Sequence, residues 1–307
     1  MKRYILLLST ILSALMGGSA MSASLVASME SMGPQFPRSV YPEYYKKRTT
    51  TYQQEQKDQN IPQNNKFYSA QQGNADAQVA IALEYLTGDN KSNNVAQALK
   101  WLMLAEQNGS VEASVYLASM YYYGKGVQQN YEEAFIRFRR AANEGNSLAQ
   151  FNLHTMYDVG YGVLVDKEKA LYWLRKSAEN GFTKAQTKLG MLYKTGGLVE
   201  RDLNKSVEWL HRAANAGDKE GQIQLAKIYA MGIGTEQNYI VSYIWFNIAG
   251  DKCEPGIERQ QCIDYTNSIA SVLSSRDKEK ARRIAIQKKK NMVENTNSPT
   301  LEKVIIQ

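Results

Sequence analysis

The architecture of this chain is written in residues 145–181, GNSLAQFNLHTMYDVGYGVLVDKEKALYWLRKSAENG. The segment runs from one glycine to the next, and the same 36-residue step recurs at Gly73, Gly109, Gly145, Gly181 and Gly217. Twelve residues after each glycine stands a tyrosine: Tyr85, Tyr121, Tyr157, Tyr193 and Tyr229. Twenty-one residues after each stands Asn94, Asn130, Asp166, Asp202 or Asn238. No residue is inserted or lost across five copies. A fixed period in the range of about 20–50 residues marks a solenoid of small stacked units.

Each unit reads as two helices. The first is predicted to start after Asn74, Ser110, Asn146 or Asp218, whose short polar side chains satisfy a backbone N–H of the first turn. Phe182 breaks this rule in the fourth copy, so a weaker cap is expected there. Small residues follow at Ala77, Ala113, Ala149, Ala185 and Gly221, then Ile81, Leu117, Leu153, Leu189 and Leu225, then the tyrosine. Steps of four keep these on one helical face. Glycines at 88, 124, 160, 196 and 232 end the first helix. A second glycine follows at Gly126, Gly162 and Gly234, shifted to Gly197 in copy four and replaced by Asn90 in copy one. The Asn/Asp position caps the second helix, and Gln97 and Glu133 are placed to close capping boxes in the first two copies. That helix carries small residues (Ala98, Ala134, Ala170, Ser206, Ser242), a position held by Trp101, Trp173, Trp209 and Trp245 but Arg137 in copy two, then a large apolar residue. One hairpin cannot bury its apolar face alone, but stacked hairpins can. The expected fold is all-α, a right-handed α-solenoid of five repeats (73–108, 109–144, 145–180, 181–216, 217–250) closed by C-terminal capping helices at 251–290. The repeated Tyr, Trp and Leu positions are read as packing residues.

The pattern resembles the Sel1-like repeat, a relative of the tetratricopeptide repeat. Copy three carries the resemblance through Ala149, Leu153, Tyr157, Gly160, Gly162, Val163, Asp166, Lys169, Ala170, Trp173, Lys176, Ala178 and Gly181. Copy four matches through Leu189, Gly190, Tyr193, Gly196, Asp202, Lys205, Trp209, Ala213, Ala214 and Gly217. Proteins of this kind are mostly adaptors that hold other proteins, so the resemblance implies a protein partner. Some secreted, cysteine-rich members are linked to β-lactam binding or hydrolysis. Those carry a cysteine pair in each repeat, whereas this chain has two cysteines, both past the fifth copy.

Outside the repeats, residues 1–23 read as a secretory signal. Lys2 and Arg3 precede an apolar run over 5–16, and small residues offer cleavage after Ala20 or Ala23. The run is shorter than the roughly 20 residues of a spanning helix, so cleavage is favoured over an uncleaved anchor. The chain is expected to work in the periplasm or outside the cell. Residues 24–66 hold Pro34, Pro37, Pro42 and Pro62 with a Gln/Asn cluster, and read as a linker. Its Tyr41, Tyr44, Tyr45 and Tyr52 beside Lys46, Lys47 and Arg48 form an alternative docking motif. Residues 67–72 are expected to end a leading helix that caps the stack. After residue 250, Ile257 and Tyr265 keep the register of a sixth unit. Cys253 and Cys262 flank a Pro-Gly turn, and in an oxidising compartment the pair is expected to form a disulfide. A last helix is expected from 275 to about 290, with Ala281, Ile284 and Ala285 inward and eight basic against two acidic side chains. Residues 291–307 read as a tail.

The net charge is +7, or +5 once Lys2 and Arg3 are removed, spread thinly. This is too diffuse for nucleic acid and suits a mild preference for acidic partners. Two histidines are present. His154 falls in a slot that holds Ala82, Ala118, Gly190 and Ala226 in other copies, and His211 falls at a position read as exposed. No nucleophile elbow, zinc spacing or phosphate loop is found, so neither an enzyme nor a cofactor or metal is expected. The surface of successive first helices supplies candidate partner-binding residues at outward offsets: Tyr116, Tyr122, Tyr123, Asn152, Asp158, Lys188, Lys194, Gln224 and Lys227. The leading expectation is an exported scaffold for a protein partner. The alternatives are a cell-wall-related enzyme or ligand binder and a virulence factor that meets host proteins.

Overall fold

The computed structural model describes residues 65–87 and 94–294, which hold thirteen helices and no strand. The helices are α1 (Asn65–Gln71), α2 (Ala75–Thr87), α3 (Val95–Gln107), α4 (Val111–Tyr123), α5 (Tyr131–Asn143), α6 (Ser147–Val159), α7 (Lys167–Glu179), α8 (Thr183–Thr195), α9 (Leu203–Asn215), α10 (Lys219–Met231), α11 (Tyr239–Gly250), α12 (Ile257–Ser271) and α13 (Ser275–Glu294). Hairpins α2–α3, α4–α5, α6–α7, α8–α9 and α10–α11 stack in chain order as a solenoid. The predicted signal, most of the linker and residues 295–307 lie outside the described residues.

Recurring caps set the helix ends. Asn74, Ser110, Asn146 and Asp218 each accept a bond from the N–H three residues on, while Phe182 makes no such bond. Asn94, Asn130, Asp166, Asp202 and Asn238 cap the second helices in the same way. The expected capping boxes at Gln97 and Glu133 are not what the structure builds. Each cap residue's own N–H donates instead to the carbonyl of its repeat's tyrosine: Asn94 to Tyr85, Asn130 to Tyr121, Asp166 to Tyr157, Asp202 to Tyr193 and Asn238 to Tyr229, at 2.8–3.1 Å. The Glu133 carboxylate pairs with Arg137. One cross-hairpin bond per repeat thus satisfies both an orphan donor and an orphan carbonyl. The second loop glycine serves the next interface. At Gly162 φ is +65°, and a Cβ would stand 2.3 Å from the carbonyl oxygen of Tyr131 in the preceding repeat.

Inside the stack, Leu102, Phe138, Leu174, Leu210 and Phe246 are buried against Leu117, Leu153, Leu189 and Leu225. Small residues at Ala98, Ala134, Ala170, Ser206 and Ser242 let the two backbones approach, and all five are fully buried. Of the tryptophans, Trp245 alone is fully inside, and the other three are half-buried at the hairpin edge. Arg137, at the tryptophan position of copy two, keeps the ring contact by other means. Its guanidinium sits 4.8 Å from the Tyr121 ring centroid and pairs with Glu133 and Glu106. A long cation over an aromatic face replaces aromatic packing there.

A buried glutamine, five residues after the repeat glycine, ties four of the five hairpins to the helix before them. Nε2 of Gln78, Gln150, Gln186 and Gln222 donates to the carbonyl eight residues back, on Ala70, Ala142, Ala178 and Ala214. Through Ala70, helix α1 is held as the leading cap. Oε1 of Gln78 and Gln150 accepts from Asn108 and Asn180, both at 2.9 Å. Copy two has Ser114 and Glu144 at the two positions. In copy four the partner position is Ala216, and Gln186 Oε1 is buried with no hydrogen-bond partner.

At the far end, Cys253 and Cys262 form the disulfide and are buried with Ala281 and Ala285 under α11. The sixth-unit register does not carry through to packing. Ile257 is 80% exposed, and Tyr265 leans outward while stacking on Phe246 at 5.3 Å. The reason is that α13, not α12 alone, covers α11. Helix α13 also continues to Glu294, four residues past the expected end, with its Lys289 paired to Asp251.

His154 fills the small slot of copy three and is buried there. Its Nδ1 lies 3.0 Å from the Ala170 carbonyl oxygen, so the neutral ring donates there and leaves Nε2 buried without a partner. Burial, then the nearby Lys188 charge, holds its pKa down at about 4; the Ala170 bond and Asp158 act in the opposite sense.

Three outcomes follow from this packing. Ala216→Asn places an amide at the same backbone conformation as Asn180 and is expected to stabilise the stack by about 1 kcal/mol in urea unfolding, by satisfying Gln186. Reduction of the disulfide, or Cys253→Ala with Cys262→Ala, is expected to cost about 2–3 kcal/mol, read as a lower melting temperature with thiol titration as the control. The unfolded His154 titrates near the ordinary 6.5 and the folded one near 4, so its stabilising contribution is full above about pH 6.5 and is lost as pH falls toward 4. His154→Ala is therefore expected to lose less melting temperature than the parent between pH 7 and pH 4.5, with a difference of up to roughly 3 kcal/mol.

Candidate functional site

Successive first helices α2, α4, α6, α8 and α10 align one row of side chains along the stack. The thirteenth residue after one repeat glycine stands beside the seventh residue of the next repeat. Leu86 packs with Tyr116 in one core cluster, and Lys194 Nζ donates to Gln224 Oε1 at 3.3 Å. Asp158 and Lys188 occupy the same pair of positions between repeats three and four, and the Lys188 charge is one of those that lower the Asp158 pKa.

The candidate residues fare unequally in this row. Tyr116, expected to face outward, is 3% exposed and hydrogen-bonded to Glu112. It belongs to the core because Leu86 and Val79 close over it, and burial raises its pKa. Tyr122 is half-buried and Tyr123 half-exposed. Asn152 is partly covered and donates to the Leu148 carbonyl. Asp158 accepts a 2.7 Å bond from Lys167, which holds its carboxyl below the usual carboxylate range. Lys188 is exposed, Gln224 donates to Glu220 at 2.7 Å, and Lys227 lies 4.9 Å from the Tyr265 ring centroid. The row thus passes from an apolar start in repeats one and two to polar and cationic groups in repeats three to five.

A tyrosine cluster sits at the loop edge of repeats two and three, and only half of it was legible in sequence. Tyr122 meets Tyr123, Tyr131 and Tyr161 edge-on at 4.9, 5.3 and 5.9 Å, and Tyr131 stacks on Tyr161 at 4.6 Å. Burial, then these neighbouring hydroxyls, pushes Tyr122 up to about 12. Tyr131 and Tyr161 lie in different repeats; Tyr131 recurs only as Tyr239 in copy five, and Tyr161 has no counterpart in the other copies. The signal that would have joined them is Gly162, whose loop seats Tyr161 against the start of α5.

His211, expected to be exposed, is half-buried. Its Nε2 lies 2.7 Å from the Tyr229 hydroxyl and its ring abuts Trp245. Burial, then the Lys288 charge, lowers its pKa. The two histidines have no neighbour in common: His154 sits with Phe151 and Ala170, His211 with Tyr229 and Trp245. Among the described residues no group of His, Cys, Asp and Glu is arranged to hold a metal ion, and no helix is long and apolar enough to cross a membrane. A shallow cavity along α7 is lined by Glu168, Leu171, Tyr172 and Arg175.

The five repeat positions match the model of the Sel1 repeat, at residues 75–110, 111–146, 147–182, 183–218 and 219–252. Comparison with curated proteins gave no match. Among solved structures, the chain is similar to a protective antigen of uropathogenic Escherichia coli that displays an SLR fold, with 29% identity and a TM-score of 0.56. That likeness covers 66% of this chain and 47% of the antigen, so the matched region spans about half of the antigen's length. It is also similar in fold to a Sel1 repeat protein from Oxalobacter formigenes, with 24% identity and a TM-score of 0.59 over 70% of this chain and 88% of that one. With five consecutive matches covering more than half of its length, this chain belongs to the Sel1 repeat family.

Proposed function

We propose that this protein is a non-catalytic scaffold, exported from the cytoplasm by residues 1–23, that captures a protein partner along the first-helix row of repeats three to five. Sel1 repeats generally serve as protein-interaction scaffolds, which supports the coarse reading. The finer one rests on a single observation. Along that row the side chains that do not repeat, Asn152, Asp158, Lys188, Lys194 and Gln224, reach the surface, and Lys194 bonds across to Gln224 of the next repeat. Packing fixes the repeating residues, so the surface residues that vary between copies are the ones free to specify a partner.

Asp158, Lys188 and Lys194 place one anionic and two cationic groups within two adjacent repeats. A partner carrying acidic residues opposite the two lysines complements the row. Lys194 and Asp158 are already positioned by neighbouring side chains, so binding orders few new rotamers. Rim charges of this kind act on association rate and specificity more than on total affinity.

The test uses a photo-crosslinking side chain at position 188 and, as a control, at position 175 on the outer helix α7. Capture of one discrete partner from 188 and not from 175 is expected. Lys188→Glu with Lys194→Glu is expected to weaken that capture at least about tenfold while the melting temperature stays unchanged, since neither lysine packs in the core. Equal capture from both positions, or no effect of the double variant, would overturn the reading.

A further inference from the structure

The terminal helix α13 carries a charge that the repeats do not use. Its inner face is committed: Ala281 and Ala285 are fully buried under α11, Lys288 lies 5.0 Å from the Trp245 ring centroid, and Lys289 pairs with Asp251 at 2.6 Å. Arg282 Nε donates to the Tyr243 hydroxyl at 3.3 Å. These contacts fix which way the other face points. Steps of four and three place Arg276, Lys280, Arg283, Gln287 and Lys290 on that outer face, all exposed. Glu279 lies there too and pairs with Arg283 at 3.0 Å. From Arg276 to Lys290 the cations span about 21 Å along one straight helix.

Ile286 stands among them and is 66% exposed. Its helical neighbours are Arg282, Arg283 and Lys290, three and four residues away. A large apolar side chain ringed by cations and held out to solvent is a poor arrangement for solubility alone. It suits a surface that is anionic outside and apolar just beneath. Val272, 59% exposed, ends the preceding helix close to the start of α13.

We infer that the outer face of α13 docks the end of the solenoid onto an anionic lipid surface. The helix lies flat, Arg276, Lys280 and Lys290 meet headgroup phosphates, and Ile286 enters the boundary with the acyl region. The helix does not insert its own apolar stripe, because Ala281, Ile284 and Ala285 remain on α11. Attraction therefore comes mainly from the charges, each basic residue near such a surface contributing about fivefold in partitioning, and it is weakened by salt. The acidic groups near this face are few. Asp277, beside Arg276, is bonded to the Ser274 hydroxyl, Glu279 is neutralised by Arg283, and Asp264 on α12 accepts a bond from Gln260. This reading concerns a surface separate from the first-helix row and stands or falls apart from it.

The experiment is co-sedimentation of the full chain with vesicles of phosphatidylcholine, with and without added phosphatidylglycerol, at low and high salt. Binding at least about tenfold stronger to the anionic vesicles, and lost at high salt, is expected. Lys280→Glu with Lys290→Glu is expected to reduce it at least about tenfold, Lys280→Gln with Lys290→Gln to a smaller extent, and Ile286→Ser a few-fold, all with an unchanged melting temperature. Because parent and variants share residues 1–64, any contribution of that segment cancels in the comparison. Equal binding to both vesicle types, or variants that bind like the parent, would overturn the inference. So would a face that binds double-stranded DNA or polyglutamate as tightly as vesicles while Ile286→Ser has no effect, since the face would then recognise a soluble polyanion.

Discussion

In every hairpin the N–H of the residue that caps the second helix donates to the carbonyl of the tyrosine in the first. This bond closes the hairpin at one length. It requires the loop to leave the first helix and reach the cap over a fixed number of residues, so an insertion would break it. The tyrosine ring is held at the same time by a cation from the second helix, Lys169 over Tyr157 and Lys205 over Tyr193, with Arg137 serving Tyr121. Backbone closure and ring packing thus act on one residue in these three copies, and in the fifth the Tyr229 hydroxyl meets His211 instead.

Hairpins of equal length are the condition for the next level. Four of the five units meet the preceding helix through a buried glutamine that reaches back eight residues to a carbonyl, and the loop glycines Gly126, Gly162 and Gly234 touch the start of an earlier helix. Both contacts are polar or backbone in nature and tolerate little displacement. Apolar burial between small and large residues drives the stacking, whereas these bonds set its register. The missing asparagine opposite Gln186 and the histidine in the slot of copy three show where individual copies depart from the pattern without losing the stack.

Because packing consumes the repeating positions, the two proposed surfaces use side chains outside the repeating pattern. They are the first-helix row and the outer face of α13, one polar and mixed in charge, the other cationic around Ile286. Both are preorganised by their neighbours.

The residues alone determined the period and the helix starts and stops within the repeats, because each rests on local chemistry that repeats at fixed spacing, and the cysteine pairing followed from two cysteines flanking one turn. The glutamine tie was equally periodic at 78, 150, 186 and 222, and it shows that a polar residue can mark a core position when a carbonyl waits for it. Other features were decided only in three dimensions. Tyr116 turned inward because Leu86 of the preceding repeat covers it, and His211 was half-buried because the Tyr229 hydroxyl lies across from it. Ile257 kept its register yet faced solvent because α13 covers α11 at the end of the stack. In each case the deciding neighbour lies in another helix, eighteen or more residues away, or in an element outside the repeat. Helical periodicity reports which side of a helix a residue lies on, but not what the adjoining unit places against that side.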